Sequence, residues 1–139
     1  MEENIHLVEI LRERKLKVTS TRLEVLLVIS DYNKAIPFSE IQNALHGFDR
    51  VTLYRTLHAL IENGIIHKAL IDEKETFFAM CSSSCLSNCH NHKHIHFKCS
   101  RCQSVTCVQA DSPIIFSIPE HSIENFEIEA KGLCASCNY

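Results

Sequence analysis

The organisation of this chain is decided by one stretch, His90-Asn-His-Lys-His-Ile-His-Phe-Lys-Cys-Ser-Arg-Cys102. Its histidines recur at every second position, so in an extended strand they would stand in a row on one face. A Cys-x-x-Cys pair closes the stretch, and a second pair, Cys134-Ala-Ser-Cys137, lies near the end of the sequence. Imidazole and thiolate are preferred zinc ligands, and such cysteine pairs commonly supply half of a tetrahedral site. The pattern therefore predicts zinc binding rather than a solvated polar strand face.

The composition favours metal-bound over disulfide-bonded cysteines. The chain has 139 residues, enough for one or two small domains. It has no apolar run of about 18 residues, and its acidic start, Met1-Glu-Glu-Asn4, is unlike a signal peptide. We therefore expect a cytoplasmic protein that does not enter the membrane. Its eight cysteines should then be reduced, and the two pairs read as metal ligands. A redox-active Cys-x-x-Cys motif would need to lie in a βαβ unit, and the sequence on either side of these pairs does not predict one.

Charge is distributed unevenly, although the formal net charge is only −3. The front of the chain carries a basic cluster, and most of the later charged residues are acidic. We therefore expect only the front half to touch an anionic partner. The basic cluster comprises Arg12, Arg14, Lys15, Lys17 and Arg22, and the acidic residues include Asp72, Glu73, Glu75, Glu120, Glu124, Glu127 and Glu129.

Helical periodicity predicts four helices in the first half of the chain. The second helix should begin after an N-cap at Thr19, or at a capping box of Thr21 and Glu24, and the third at the capping box Ser39-Glu-Ile-Gln42. The fourth should run from its N-cap Asp49 to the stop at Gly64. We expect these helices at about 4–15, 20–31, from 39 and over 49–63, and the buried face of the second at Leu23, Leu26, Leu27 and Ser30.

Strand patterns follow the helices. Segments 65–71 and 76–81 are β-rich and predict a hairpin. Two helices joined by a brief turn, with this hairpin, predict a winged helix-turn-helix, against the alternative of an unrelated helical domain. Later strands are expected at 94–99, 103–108 and 124–131. Pro113 and Pro119 argue against a long helix between the last two of these strands. A second domain built from these later strands would be so small that it should need a structural metal and a partner subunit.

In the order and spacing of its motifs, the chain resembles the ferric uptake regulator (Fur) family of bacterial metalloregulators, which includes zinc-responsive and peroxide-responsive branches. The resemblance implies an α+β homodimeric repressor that binds double-stranded operator DNA. It implies a winged-helix DNA-binding domain at 1–81, a hinge at 82–91, and a small αβ dimerisation domain at 92–139. The chain departs from the family in the reduced helix content that Pro113 and Pro119 predict for this last domain. The motifs are Leu16-Lys-Val-Thr-Ser-Thr-Arg22, Asp49-Arg-Val-Thr-Leu-Tyr-Arg-Thr-Leu57, Gly64-Ile-Ile66, His94-Ile-His-Phe-Lys-Cys-Ser-Arg-Cys102 and Gly132-Leu-Cys-Ala-Ser-Cys137.

The resemblance also implies two metal sites. Structural zinc is expected on Cys99, Cys102, Cys134 and Cys137. A regulatory metal in the hinge is expected on His67, Cys81, His94 and His96, with Cys89 as a rival for the place of Cys81. Such ligands suit zinc better than iron or manganese. A third family site should be absent, because Lys93 and Ile95 replace its ligands. Cys85, Cys89, His90, His92 and Cys107 have no clear family role and are expected to be linker residues or an extra site.

DNA contacts are expected from the fourth helix and from the segment before the second. Arg50 and Arg55 suit phosphate or guanine, and the ring of Tyr54 suits a thymine methyl group, unless it is a half-buried helix aromatic. Thr52 could contact either the DNA backbone or a base. Lys17 matches a family position near the minor groove. The alternatives to a zinc-responsive repressor are an iron- or peroxide-responsive regulator and a zinc-storage or metallochaperone protein. A zinc enzyme is disfavoured because no His-Glu-x-x-His or His-x-Glu pattern is present.

Overall fold

The computed structural model of the protein describes residues 2–71, 74–81, 94–109, 111, 115, 117–123, 126 and 128–139. Its strands form two three-stranded sheets, ordered β1-β3-β2 and β5-β4-β6. This combination of helices, a hairpin and a second small sheet confirms the predicted α+β class, whereas the expected hinge at 82–91 lies outside the described residues. The elements are α1 (Glu2–Glu13), α2 (Ser20–Asp31), β1 (Ile36–Pro37), α3 (Phe38–Ala44), α4 (Arg50–Glu62), β2 (Ile66–Ile71), β3 (Thr76–Met80), β4 (His94–Cys99), β5 (Val105–Gln109) and β6 (Glu129–Gly132).

The four helices and the first sheet share one apolar core. Helix α2 lies inside it and packs against α1, α3, α4 and β3. Its N-cap is Thr19, as predicted, and the side-chain oxygen of Thr19 accepts a hydrogen bond from the Arg22 backbone N–H at 3.2 Å. The predicted buried face was wrong in part, because the fully buried residues are Val25, Leu26 and Ile29. A helix with apolar neighbours on several sides carries apolar residues around most of its surface, so its sequence selects no single face.

Helix α3 begins differently from the prediction. It starts at Phe38, after the N-cap Pro37, and the side chain of this N-cap makes no hydrogen bond. The expected capping box at Ser39 was therefore wrong: the Ser39 N–H instead donates to Oε1 of Glu75, directly before β3, at 2.7 Å. Pro37 is held in place because Ile36 and Pro37 pair with β3 as a short edge strand. Pairing with a distant strand, rather than local capping, sets the start of this helix.

Helix α4 follows its predicted bounds. Its N-cap Asp49 accepts a hydrogen bond from the Thr52 N–H at 2.7 Å, and Gly64 ends the turn after the helix with a φ of 69°. The buried stripe consists of Leu53, Leu57 and Leu60. The opposite surface, with Arg50, Val51, Tyr54, Arg55 and His58, is exposed. No helix among the described residues is long and apolar enough to cross a membrane.

The second sheet is built around β4, which pairs antiparallel with β5 and parallel with β6. Strand β4 has its predicted bounds. Strand β5 starts later than expected, because a turn with Gln103 at a φ of 64° returns the chain and the Cys99 N–H donates to the Ser104 carbonyl at 2.9 Å. Strand β6 overlaps the last three residues of the segment expected for it and ends one residue beyond that segment. None of the described residues between 111 and 128 is helical, in agreement with the reduced helix content expected from the prolines.

The two sheets touch through a small apolar cluster. The Ala35 N–H donates to the Val105 carbonyl at 2.9 Å, and the side chains of Ala35, Ala69, Leu70, Phe77 and Val105 pack together. The ammonium group of Lys98 lies 5.7 Å from the centre of the Phe77 ring. These contacts bring β2 and β3 of the first sheet against β4 and β5 of the second.

Candidate metal centres

Four cysteines converge at one end of the second sheet. Cys99 ends β4 and Cys102 lies in the turn that follows, whereas Cys134 and Cys137 lie in the turn after β6. Their sulfur atoms all lie within 4.8 Å of one another, and the Cys102 and Cys134 sulfurs are 3.8 Å apart. Zinc–sulfur bonds of about 2.3 Å in a tetrahedron give sulfur–sulfur edges of about 3.8 Å. The four side chains therefore fit one tetrahedral zinc ion.

Backbone pairing explains the convergence. Cys99 lies opposite Gly132 in the parallel β4–β6 pair, and the Ser100 N–H donates to the Gly132 carbonyl at 2.8 Å. The chain then turns back, and the Cys134 N–H donates to the Cys99 sulfur at 3.4 Å. A one-turn hydrogen bond from the Cys137 N–H to the Cys134 carbonyl, at 2.9 Å, places the last cysteine on the same side. The turns thus preorganise the ligands.

The electrostatics of this cluster favour a cation. Hydrogen bonds from the backbone N–H groups of Cys102 and Cys134 lower the pKa of the Cys99 thiol to about 6. The Ser104 hydroxyl group lowers the pKa of Cys102. Hydrogen bonding with the Cys134 thiol, together with burial, raises the pKa of Cys137 to about 12. Four adjacent thiolates repel one another, so full ionisation needs a bound cation such as zinc. A closed shell of four thiolates serves structure rather than catalysis.

A second group of histidine and cysteine side chains lies where the two sheets meet. We call His67, Cys81, His96 and Cys107 the hinge cluster. His67 on β2 and His96 on β4 are only 5% and 7% exposed, and their rings stack with centres 5.4 Å apart. Nε2 of His67 lies 3.3 Å from the Cys107 sulfur, and Nδ1 of the same ring lies 3.5 Å from the Cys81 sulfur. Buried imidazoles beside thiols are a donor set that suits a transition metal.

Strand register explains the membership of the hinge cluster. His96 lies directly opposite Cys107 in the antiparallel β4–β5 pair, so both side chains stand on one face. His67 lies opposite Ala79, and Cys81 follows Ala79 by two residues on the same face of the first sheet. The sequence assigned no role to Cys107. The sequence predicted that Cys107 lies in a strand. Its position opposite His96 depends on the residue at which β5 starts after the turn that follows Cys99.

Three of the four predicted regulatory ligands are brought together by this packing. His67, Cys81 and His96 lie in the hinge cluster. His94 starts β4 two residues before His96, but its side chain lies outside the described residues. The rival ligand Cys89 lies outside them as well, as do Cys85, His90 and His92.

Four of the five predicted DNA-contacting residues lie on α4, and the fifth, Lys17, precedes α2. The ring of Tyr54 stacks on Phe38 with centres 4.4 Å apart, and the Arg50 guanidinium lies 5.5 Å from the centre of the Tyr54 ring. Arg55 is exposed and Thr52 is half-buried. Lys17 is exposed before α2, and its carbonyl accepts a hydrogen bond from Arg22 Nη1 at 2.6 Å. These contacts with Phe38 and with each other restrict the side-chain conformations of Arg50 and Tyr54.

Comparisons with known proteins agree on one family. The sequence model described as the ferric uptake regulator family matches residues 13–133. The ferric uptake regulation protein of Staphylococcus aureus (strain Mu50) is 29% identical over 136 residues, which cover 94% of each chain. The zinc uptake regulation protein of Escherichia coli (strain K12) is 29% identical over 138 residues, covering 93% of this chain and 77% of that protein. A solved zinc uptake regulator in complex with zinc and DNA superposes with a TM-score of 0.68 and 26% identity, covering 98% of this chain and 93% of that chain.

Proposed function

The chain belongs to the ferric uptake regulator family, and on that premise we propose that it is a zinc-responsive, DNA-binding transcriptional repressor that acts as a homodimer. Proteins of this family are transcriptional regulators and not enzymes. The observation that carries the proposal is the hinge cluster, which joins buried ligands from both sheets at the point where they meet. A zinc uptake regulator of the same fold has been solved with zinc and DNA, which supports the same partners here.

The proposed DNA-recognition helix is α4, within a winged-helix domain at 1–81. Arg50 and Arg55 present guanidinium groups to phosphate or guanine, and Tyr54 presents its ring edge to a thymine methyl group. Thr52 lies on the first turn of the same helix, and Lys17 approaches the neighbouring minor groove. One copy of the chain would make too few DNA contacts to bind an operator specifically. Two copies, paired through residues 92–139, would present two such helices to a near-palindromic operator.

The proposed sensor is the hinge cluster together with His94. Its imidazole and thiolate donors favour zinc over iron or manganese, which prefer more oxygen ligands. A bound ion would cross-link His67 on β2 to His96 on β4. The hinge cluster would then hold the winged helix at one angle to the second sheet and so set the spacing of the two reading helices in the dimer. That is coupling between two sites through domain orientation.

The test is a DNA-binding titration with and without zinc. A duplex ligand is first enriched from a random pool using the zinc-loaded parent protein, and binding is then measured by fluorescence anisotropy. The parent should lose affinity when a chelator is added. His96→Ala should fold normally but bind equally weakly in both conditions, whereas the exposed control His6→Ala should behave as the parent does. The proposal is wrong if His96→Ala binds DNA as tightly as the parent and keeps its response to zinc.

An iron-responsive regulator is the second candidate. It is favoured by the Staphylococcus aureus relative, a ferric uptake regulation protein with the same 29% identity as the zinc uptake regulation protein. The same titration with ferrous iron or manganese in place of zinc separates the two. A zinc-storage or metallochaperone role would bind zinc but enrich no DNA from the pool.

A further inference from the structure

Phe38 lies between the apolar core and the surface of α4 that carries the predicted DNA contacts. It is the first residue of α3 and is only 6% exposed, whereas Tyr54 on α4 is 46% exposed. The two rings stack with centres 4.4 Å apart and with their planes inclined by 24°. Phe38 is therefore the buried member of an aromatic pair whose other member faces solvent.

Arg50 completes this arrangement. The central carbon of its guanidinium group lies 5.8 Å from the centre of the Phe38 ring and 5.5 Å from the centre of the Tyr54 ring. Its Nη2 group also donates a long hydrogen bond, of 3.5 Å, to the Tyr54 hydroxyl group. A cation within about 6 Å of the centre of an aromatic ring is attracted to the face of that ring. We call Phe38, Tyr54 and Arg50 the stacked triad.

Phe38 is itself held by contacts on both sides of it in the chain. The residue before it, Pro37, pairs with Phe77 of β3. The N–H group of the residue after it, Ser39, donates to Oε1 of Glu75 at 2.7 Å. The Phe38 ring also belongs to the apolar core of the helical region. Phe38 is therefore a fixed support beneath the two exposed side chains of the stacked triad.

We propose that Phe38 is a positioning residue for DNA recognition, which fixes the Tyr54 ring and the Arg50 guanidinium group before DNA binds. This inference rests on the proposed DNA-binding function and adds a specificity-determining residue that acts through its neighbours. A long side chain that is free in solution loses conformational freedom on binding, and a side chain already held in place avoids much of that cost. A flexible contact surface can also re-pack against a different partner, so fixing the surface increases discrimination between bases.

The stack is tested in the free protein by NMR with ring-labelled tyrosine. The chain has three tyrosines, Tyr32, Tyr54 and Tyr139. The ring current of Phe38 should shift the Tyr54 ring protons upfield of those of Tyr139, which is 96% exposed. In Phe38→Leu this shift should disappear, while unchanged Tyr32 signals verify that the variant is folded. If the Tyr54 signals of the parent protein already coincide with those of Tyr139, Phe38 does not hold this ring and the proposal is wrong.

The effect on recognition is measured as sensitivity to a single methyl group. In the duplex enriched with the zinc-loaded parent protein, each thymine is replaced in turn by uracil at matching positions of both half-sites. The thymine read by Tyr54 is the one whose replacement weakens binding by the parent but not by Tyr54→Ala. Burying one methyl group is worth about fourfold in affinity, so changing both half-sites should weaken the parent about 15-fold. In Phe38→Leu the same replacement should weaken binding about fourfold or less.

Phe78→Leu is the matched control. Phe78 is buried in the same core, and its replacement removes the same kind of ring. This variant should be less stable in denaturant titrations but should keep the full sensitivity of the parent to the thymine methyl group. The proposal is overturned if Phe38→Leu keeps that sensitivity, if Phe78→Leu loses it, or if no thymine of the duplex is read by Tyr54. In each of these cases the parent still binds its duplex and the repressor function stands, whereas both proposals fail if the parent enriches no duplex.

Discussion

Removing the metal from the four-cysteine site should unfold the second sheet and leave the helical region folded. Among the described apolar side chains of this sheet, only Cys99 and Val105 are fully buried. Burying one valine stabilises a fold by about 1.5–3 kcal/mol, whereas a structural zinc site contributes on the order of 10 kcal/mol. The metal is therefore the larger stabilising term for β4, β5 and β6. The helical region has its own continuous core, from Leu7 to Phe78, so we expect it to stay folded without the metal.

Hydrogen–deuterium exchange of the intact protein measures this difference element by element. After treatment with a strong zinc chelator, or in Cys137→Ser, the amides of β4, β5 and β6 should lose protection while those of α2 and α4 keep it. The exposed neighbour Ser136→Ala is the matched control and should exchange like the parent protein. The reasoning is refuted if metal removal leaves the β4–β6 amides as protected as before, or if the helices lose protection to the same extent.

Two further perturbations probe the contacts between elements. Val105→Ala removes a side chain that packs between the two sheets, so it should lower the free energy of unfolding by about 2 kcal/mol in denaturant titrations, and an unchanged value would contradict the packing described. Asp49→Ala removes the α4 cap. Hydrogen bonds from Thr52 lower the pKa of Asp49 below 3.8, so the cap stabilises the fold above that pH and loses its effect as pH falls through the lower folded-state value. The gap in thermal midpoint between the parent and Asp49→Ala should therefore be constant from pH 7 to 5 and narrow below pH 3.8, and a gap independent of pH would contradict the capping role.

Local chemistry was enough to predict several elements. Helix α4 carries its start in Asp49 and its stop in Gly64, and both lie where the sequence indicated. The four cysteines were identifiable as one site because each pair has zinc-ligand spacing and two pairs complete a tetrahedron. These features depend on residues that are close in sequence or on a ligand number that chemistry fixes.

Other features were decided only by tertiary structure. Helix α3 starts at Phe38 because β1 pairs with β3 and Glu75 reaches the Ser39 N–H, and neither contact is local. Cys107 enters the hinge cluster because the turn after Cys99 sets the β4–β5 register, and a shift of one residue would turn its side chain to the other face. The sequence by itself determined which residues could bind metal. Only the packing of β2 against β4 and β5 decided which ring nitrogen of His67 faces which thiol.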